Sequence, residues 1–254
     1  MNRAPTGDPV ADMIPDPETA AYVGGGTPEQ FRFVGIYNVE RMRDLGGLRP
    51  NDRVLDIGCG IGRVAIAMTQ YLDSRGTYVG FDIVKRGIDW CQERITPRYP
   101  NFTFFLADIH NDLYHPEGRQ AAGEYRFPFD DGSFDFVFLT SVFTHMPRRE
   151  VEHYIDEISR VLVNGGRCFC TAFVITGEAR RRVEQGTSGR PFVRTGDGYW
   201  IERTDSPMAA VAYDDTVLEA AFNTRGFELV KFAPDAWYDN PWAQDTVVLR
   251  KVVA

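Results

Sequence analysis

Asp56-Ile57-Gly58-Cys59-Gly60-Ile61-Gly62 sets three glycines at alternate positions between two apolar runs. Glycine accepts positive φ and lets a ligand approach the backbone closely. A helix beginning just beyond would turn its N–H groups toward a polar or anionic moiety. The plainer alternative is a strand-to-helix turn that is merely rich in glycine. Asp82 ends the next apolar run, about two dozen positions after Gly58, where doubly wound sheets place an acid that receives a ribose hydroxyl pair. Its alternative is a helix N-cap, a reading that would be preferred only without the glycines. Asp108 closes a third run, Phe105-Leu106-Ala107-Asp108-Ile109. The glycine spacing is GxGxG, which argues against a dinucleotide site built on GxGxxG.

A second group lies in Thr140-Ser141-Val142-Phe143-Thr144-His145-Met146-Pro147. A histidine at the carboxyl end of a strand is suited to proton abstraction near neutral pH. The same residue could instead cap the helix that starts near Pro147, or bond to backbone. His110 and His115, with Tyr114 between them, are expected on a surface loop, and His153 on the solvated face of a helix. Trp200, Trp237, Tyr238 and Trp242 could stack on a sugar or an aromatic ligand, although such rings more often pack internally. Cys168 and Cys170 lie two apart on a strand and share one face. No second ligand pair follows at zinc spacing, so packing is the better account of them. No tight carboxylate cluster suggests another metal, and none is expected.

These residues need elements to position them. Val54–Ile57 reads as a first strand and Val64–Tyr71 as an apolar helix. Thr77–Phe81 is a second strand, followed by a helix whose buried stripe is Val84, Ile88, Cys91 and Ile95. Phe102–Leu106 and Phe134–Leu139 are the third and fourth strands, the latter almost wholly apolar, as in a strand covered on both faces. Val151, Tyr154, Ile155, Ile158, Val161 and Leu162 mark one face of a helix that Pro147 begins and Asn164-Gly165-Gly166 stops. Arg167–Val174 is a fifth strand. Asp214 is expected to cap a helix through Phe222, ended by Gly226. Phe227–Phe232 and Thr246–Val252 follow with no helix between them and should pair antiparallel. Alternation of this kind gives an α/β fold, a doubly wound, mostly parallel seven-stranded sheet with the last strand antiparallel and helices on both faces.

Residues 1–26 are rich in Pro, Gly and Asp and read as a flexible arm that could order over a ligand; 27–254 read as one domain, opened by a helix over Phe31–Leu45. Two stretches, 111–129 and 175–213, break the alternation. The second holds Phe192-Val193-Arg194 and Tyr199-Trp200-Ile201 about Thr195-Gly196-Asp197-Gly198, a hairpin with an Asp-Gly turn. Insertions after strand five sit where open α/β sheets bind ligands, so this one is expected to form a lid.

The chain has 254 residues with 43% hydrophobic and 25% charged, which allows one or two domains at roughly 150 residues each. Its net charge of −8 disfavours contact with phosphate backbones, so no nucleic-acid partner is expected. Arg180-Arg181-Arg182 reads as a solvated helix face. No leader pattern and no membrane-length apolar run is visible, and four scattered cysteines suit a reducing compartment, which together suggest the cytoplasm. A homodimer is compatible with all of this.

Val54-Leu55-Asp56-Ile57-Gly58-Cys59-Gly60-Ile61-Gly62-Arg63, Asp82, Ala107-Asp108, Phe134-Asp135-Phe136-Val137 and Val161-Leu162-Val163-Asn164-Gly165-Gly166 together resemble the class I S-adenosylmethionine-dependent methyltransferases. The likeness is firm over about Asn51 to Val174. It implies S-adenosyl-L-methionine as cofactor, with Gly58 and Gly60 along the methionine part, Gly62 also in the cofactor-binding loop, and Asp56 supporting the loop and the amino end. It further implies Asp82 on the ribose hydroxyls, Ile83 against adenine, Asp108 accepting from the adenine amino group with Ile109 beside it, and Thr140 at the cofactor. Many members carry Glu where this chain has Asp56. The Ser-Val-Phe-Thr-His-Met stretch is also similar, more loosely, to bacterial sugar and glycan O-methyltransferases. The expectation is O-methylation of a sugar-like or natural-product hydroxyl on a small-molecule or glycan acceptor, with His145 as general base. N- or C-methylation of a small metabolite, and a cofactor-binding accessory protein without turnover, are the alternatives; a nicotinamide oxidoreductase suffers from the glycine spacing.

Overall fold

The computed structural model describes residues 10–21, 26–112, 114–196 and 198–252. Helix α1 (Pro17–Ala21) precedes α2 (Pro28–Asp44). The latter starts earlier than its apolar run because Thr27 and Gln30 form a capping box, each side chain accepting from the other's backbone N–H at 3.3 and 3.0 Å. There follow β1 (Arg53–Ile57), α3 (Arg63–Met68), β2 (Thr77–Asp82), α4 (Lys85–Arg94), β3 (Phe102–Leu106), β4 (Phe134–Leu139), α5 (Arg148–Val161) and β5 (Leu162–Ile175). The chain continues through α6 (Gly177–Glu184), β6 (Val193–Arg194), β7 (Tyr199–Ile201), β8 (Val211–Asp214), α7 (Asp215–Asn223), β9 (Phe227–Ala233) and β10 (Asp245–Lys251).

Parallel pairings run β3-β2-β1-β4-β5, and β10 lies antiparallel between β5 and β9. That is the seven-stranded doubly wound core. The sheet nevertheless has ten strands. The reason is the length of β5. Its pairing with β4 ends at Cys170 and with β10 at Ala172, so Phe173, Val174 and Ile175 run beyond both neighbours. Backbone groups left there need partners, and β8 supplies them in parallel register, Phe173↔Ala212 to Ile175↔Asp214. β7 then pairs antiparallel with β8, and β6 with β7 through Val193↔Ile201 and Arg194↔Trp200. The hairpin of the 175–213 insertion is therefore present, but it extends the sheet and is not simply a lid laid over it. The turn residue Asp197 lies outside the described residues.

Both sheet faces are covered. On one, α3 and α4 bury Ile66, Ile88 and Cys91 with Val54, Tyr78 and Phe138. On the other, α5 seats Val151, Tyr154, Ile155, Ile158 and Val161 beside Leu55, Val137 and Cys170. Each such aliphatic side chain contributes about 1.5–3 kcal/mol when fully buried. A third cluster, Phe173, Phe192, Trp200 and Trp237, sits under the added strands.

Several expectations change. Residues 10–21 do not form a free arm: Val10 and Met13 are buried in the α3/α4 cluster, Trp90 Nε1 donates to the Met13 carbonyl at 3.3 Å, and Arg98 pairs with Asp12. Asp214 does not cap α7 with its side chain; it is buried and accepts from Trp200 Nε1, Arg180 and Arg194 at 2.8, 2.7 and 3.2 Å. Arg181 and Arg182 both pair with Glu178, so the arginine run is engaged and not merely solvated. His153 is half-buried, with Nε2 2.9 Å from the Tyr125 carbonyl. All four cysteines are free and buried. Among the described residues no helix is long and apolar enough to cross a membrane.

Candidate active site

A cleft of about 1080 Å³ opens at the carboxyl ends of β1, β2, β4 and β5. Its first wall is the glycine loop. Gly58 and Cys59 donate to the Phe81 carbonyl at 2.9 and 3.0 Å, which ties the loop to β2. Gly58, Gly60 and Gly62 have φ of 79°, 56° and 78°, values that favour glycine. A Cβ on Gly58 would stand 2.6 Å from Val142 Cγ2, so the loop and the turn after β4 touch only because that atom is missing. Gly58 and Gly60 line the cleft. Gly62 does not; a Cβ there would meet Ile95 and Cys91 beneath the loop, which makes it a packing glycine.

Asp82 stands at the end of β2 on the same wall. Its Oδ2 accepts from Gly60 N at 2.8 Å and its Oδ1 from Val84 N at 2.9 Å. Each carboxylate oxygen keeps a lone pair for a further donor. Burial pushes the acid above its ordinary pKa, against the lowering effect of those backbone bonds. Ile83 and Ile109 present apolar surface to the cleft, and Thr140 lines it. Asp56 is buried and accepts from the Tyr78 hydroxyl. Burial pushes its pKa up to about 8. Asp108 is set apart from the other expected cofactor residues. It is turned toward Arg119, which donates to it from its backbone N at 3.1 Å and from its guanidinium, and it is not part of the cleft wall.

A glycine cradle with no Cβ in the way, the Asp82 carboxylate on the cleft wall and two flanking isoleucines fit an adenosyl ligand. When bound, S-adenosyl-L-methionine supplies a methyl group activated on a sulfonium.

His145 lies across the cleft in the short 3-10 turn Phe143–His145. Its Nδ1 is 3.0 Å from the Met208 carbonyl. A carbonyl only accepts, so Nδ1 carries the proton and Nε2 of the neutral ring carries the lone pair. Burial lowers the pKa, and the charge of Arg190 adds to this against the backbone of Met208 and Ala209. Tyr114 meets the ring edge-on at 6.1 Å between centroids. His110 is exposed and bonds to Pro116 O and Asp112, both at 3.0 Å.

Several wall residues were given no role by the sequence, although Ser141 lay within the stretch that leads to His145. Ser141 has φ 62° without being glycine, and it shares the wall with Thr171, Arg190 and Gln244. Arg190 bonds to Glu202 at 2.9 Å and to the Pro241 carbonyl at 2.9 and 2.6 Å, and lies over Phe173 at 4.6 Å. It thereby fastens the insertion to the segment before β10. From α2 come Phe33, Tyr37, Asn38 and Arg41. A hint of these was available: α2 buries Phe31, Val39 and Met42, yet Phe33, Ile36 and Tyr37 form a second, outward apolar stripe. Of the four aromatics singled out, Trp200 and Trp237 are buried, whereas Trp242 is 88% exposed on the cleft wall.

Residues 55–170 match the methyltransferase domain family, and structures of the same fold include one with bound S-adenosylhomocysteine. That segment thus matches a methyltransferase domain, on the α/β fold that these structures share. It is 31% identical over 136 residues to 27-O-demethylrifamycin SV methyltransferase of Amycolatopsis mediterranei, over 54% of this chain and 44% of that one. It is 30% identical over 120 residues to sterol 24-C-methyltransferase of Schizosaccharomyces pombe, over 47% of this chain and 27% of that one. The chain therefore spans less than half the length of either relative. The structure of magnesium protoporphyrin IX methyltransferase from Synechocystis with S-adenosylhomocysteine aligns with a TM-score of 0.53 at 14% identity, covering 98% of this chain and 90% of that one.

Proposed function

We propose that the chain catalyses methyl transfer from S-adenosyl-L-methionine to a hydroxyl of a natural-product or sugar-like acceptor, with His145 as general base. The observation that carries this is the Met208 carbonyl at His145 Nδ1, which leaves Nε2 as an acceptor on the cleft wall. As the new O–CH₃ bond forms, the methyl–sulfur bond breaks with its electron pair going to sulfur. The hydroxyl proton passes to Nε2. The products are an ether, a thioether and an imidazolium, and the imidazolium returns its proton to water.

The chain's own contribution is placement. Asp82 and the glycine loop hold the cofactor on one wall, while His145 and the residues after β4 hold the acceptor against it, and such alignment accounts for much of the acceleration in transfer reactions. The two relatives act, by their names, at an oxygen and at a carbon. The lowered pKa of His145 favours the oxygen reading, because it keeps the imidazole unprotonated and able to take a proton at neutral pH. The net charge of −8 supports a partner that is not nucleic acid, and four unpaired buried cysteines support a reducing, cytoplasmic setting.

The test is a screen of acceptors with methyl-labelled cofactor, preceded by thermal shifts with S-adenosylhomocysteine and with NAD. Stabilisation by S-adenosylhomocysteine should reach roughly 2.7 kcal/mol at a hundred times its Kd. Label should then appear as an ether. Label only on nitrogen or carbon would overturn the oxygen assignment.

A further inference from the structure

Three polar side chains on the cleft wall close a ring. Ser141 N donates to Thr171 Oγ1 at 2.8 Å, Thr171 Oγ1 lies 2.6 Å from Gln244 Oε1, and Gln244 Nε2 lies 2.8 Å from Ser141 Oγ. The direction of every bond in the ring is set by its first member. A backbone N–H can only donate, so Thr171 Oγ1 accepts it and gives its own proton to Gln244 Oε1. The amide NH₂ of Gln244 must then face Ser141 Oγ, which accepts. Ser141's own hydroxyl proton is not needed to close the ring. Among the described residues the hydroxyl's remaining hydrogen-bond contact is with Thr144 Oγ1 at 3.4 Å, long for an O–H···O bond and readily exchanged for a ligand atom.

The backbone says that this placement is held at a cost. Ser141 sits at φ 62°, a region that side chains other than Gly, Asn and Asp seldom occupy. Strained residues of this kind concentrate at sites where the geometry is used. Here the strain turns the chain at the end of β4 so that Val142 packs against Gly58 of the cofactor loop, while Ser141 faces Thr171 and Gln244 on the acceptor side. The hydroxyl therefore stands between the two halves of the cleft, with His145 at the far end of the same turn.

Resting on the methyltransferase reading above, we propose that Ser141 is a specificity-determining residue that donates its O–H to the acceptor atom and so selects oxygen over nitrogen. A hydroxyl oxygen has one proton and two lone pairs. It can give the proton to His145 Nε2, receive Ser141 O–H on one lone pair and direct the other at the methyl group. A neutral amine has a single lone pair, which the methyl group needs, so it leaves the Ser141 donor unanswered. An exposed aromatic surface at the same cleft, Phe33, Tyr37 and Trp242, suits an acceptor whose hydroxyl is carried on a flat apolar body.

The experiment compares 2-naphthol with 2-naphthylamine, titrated by calorimetry into the protein saturated with sinefungin, a cofactor analogue whose ammonium group stands in place of the sulfonium methyl and so takes up one acceptor lone pair. Wild type should bind the naphthol more tightly by about fivefold, the size of one net hydrogen bond. S141G keeps the left-handed backbone available while deleting the hydroxyl, so it should fold at least as stably and lose that preference, with sinefungin affinity unchanged. Q244M, which removes the bond that aims the hydroxyl, should lose part of it. Equal binding of the two probes to wild type, no binding of the naphthol, or a preference that survives in S141G would each overturn the proposal. Failure of sinefungin itself to bind would instead sink the methyltransferase reading on which it rests.

Discussion

Replacing Asp82 by asparagine is a sharper perturbation than it looks. The two side chains are nearly isosteric, and an exchanged cap would tolerate the change. In this fold, however, both carboxylate oxygens already accept backbone N–H groups, Oδ2 from Gly60 and Oδ1 from Val84. Whichever way the asparagine amide is turned, its NH₂ must face one of those donors. A donor left unsatisfied costs about 1–3 kcal/mol. The variant also loses the charge that would receive the ribose hydroxyl pair, and hydrogen bonds to a charged group contribute about 1.5–3 kcal/mol each. Losing even one of them weakens S-adenosylhomocysteine binding at least tenfold, since tenfold corresponds to about 1.4 kcal/mol. Asp82→Asn should therefore bind no better than Asp82→Ala. Calorimetry on folded variants, with melting temperatures on the same preparations, measures both terms. There is a pH signature as well. Burial raises the Asp82 pKa, and two hydroxyl donors would lower it again by favouring the charged form. Binding should then release protons, and wild-type affinity should rise with pH above the ordinary carboxylate range, a dependence the asparagine variant lacks. Wild-type affinity in Asp82→Asn would refute the ribose assignment and leave Asp82 as a tie between the loop and α4.

His145→Ala should lower kcat by roughly 10²–10⁴-fold with cofactor affinity unchanged, and should abolish an ascending limb of the pH–rate profile that lies below the usual histidine value because burial lowers the pKa; near-normal turnover would leave catalysis to placement alone. Asp56 is neutral in the folded chain up to about pH 8, whereas the unfolded chain ionises it from about pH 4. The stability this group contributes is thus full in acid and is lost as pH rises toward 8, so Asp56→Asn should flatten that part of the melting-temperature profile. Asp214→Ala leaves the buried Trp200 Nε1 without its acceptor, while the partly exposed Arg180 and Arg194 turn to solvent, and should cost about 1–3 kcal/mol by denaturant melts, with S-adenosylhomocysteine affinity holding. No stability change there would mean that another acceptor takes up the Trp200 N–H.

The seven core strands and the glycine loop were legible because their signals are local. Phe102–Leu106 and Phe134–Leu139 are apolar runs with turn residues at both ends, and the structure gives them those same limits. β8 was not legible as a strand. It is four residues long, and what makes it one is the overhang of β5, thirty-odd residues earlier in the chain. Val10 and Met13 were hidden for a related reason: single apolar residues in a Pro- and Asp-rich stretch show no period, and only the surface of α4 decides that they are buried. The acceptor wall is the extreme case. Ser141, Thr171 and Gln244 stand 30, 73 and 103 positions apart in pairs, and each is an ordinary small polar residue in its own surroundings. A cofactor common to a whole class is met by a contiguous loop, which leaves a motif. An acceptor particular to one chain is met by side chains that three strands bring together, and their meaning exists only once the sheet has formed.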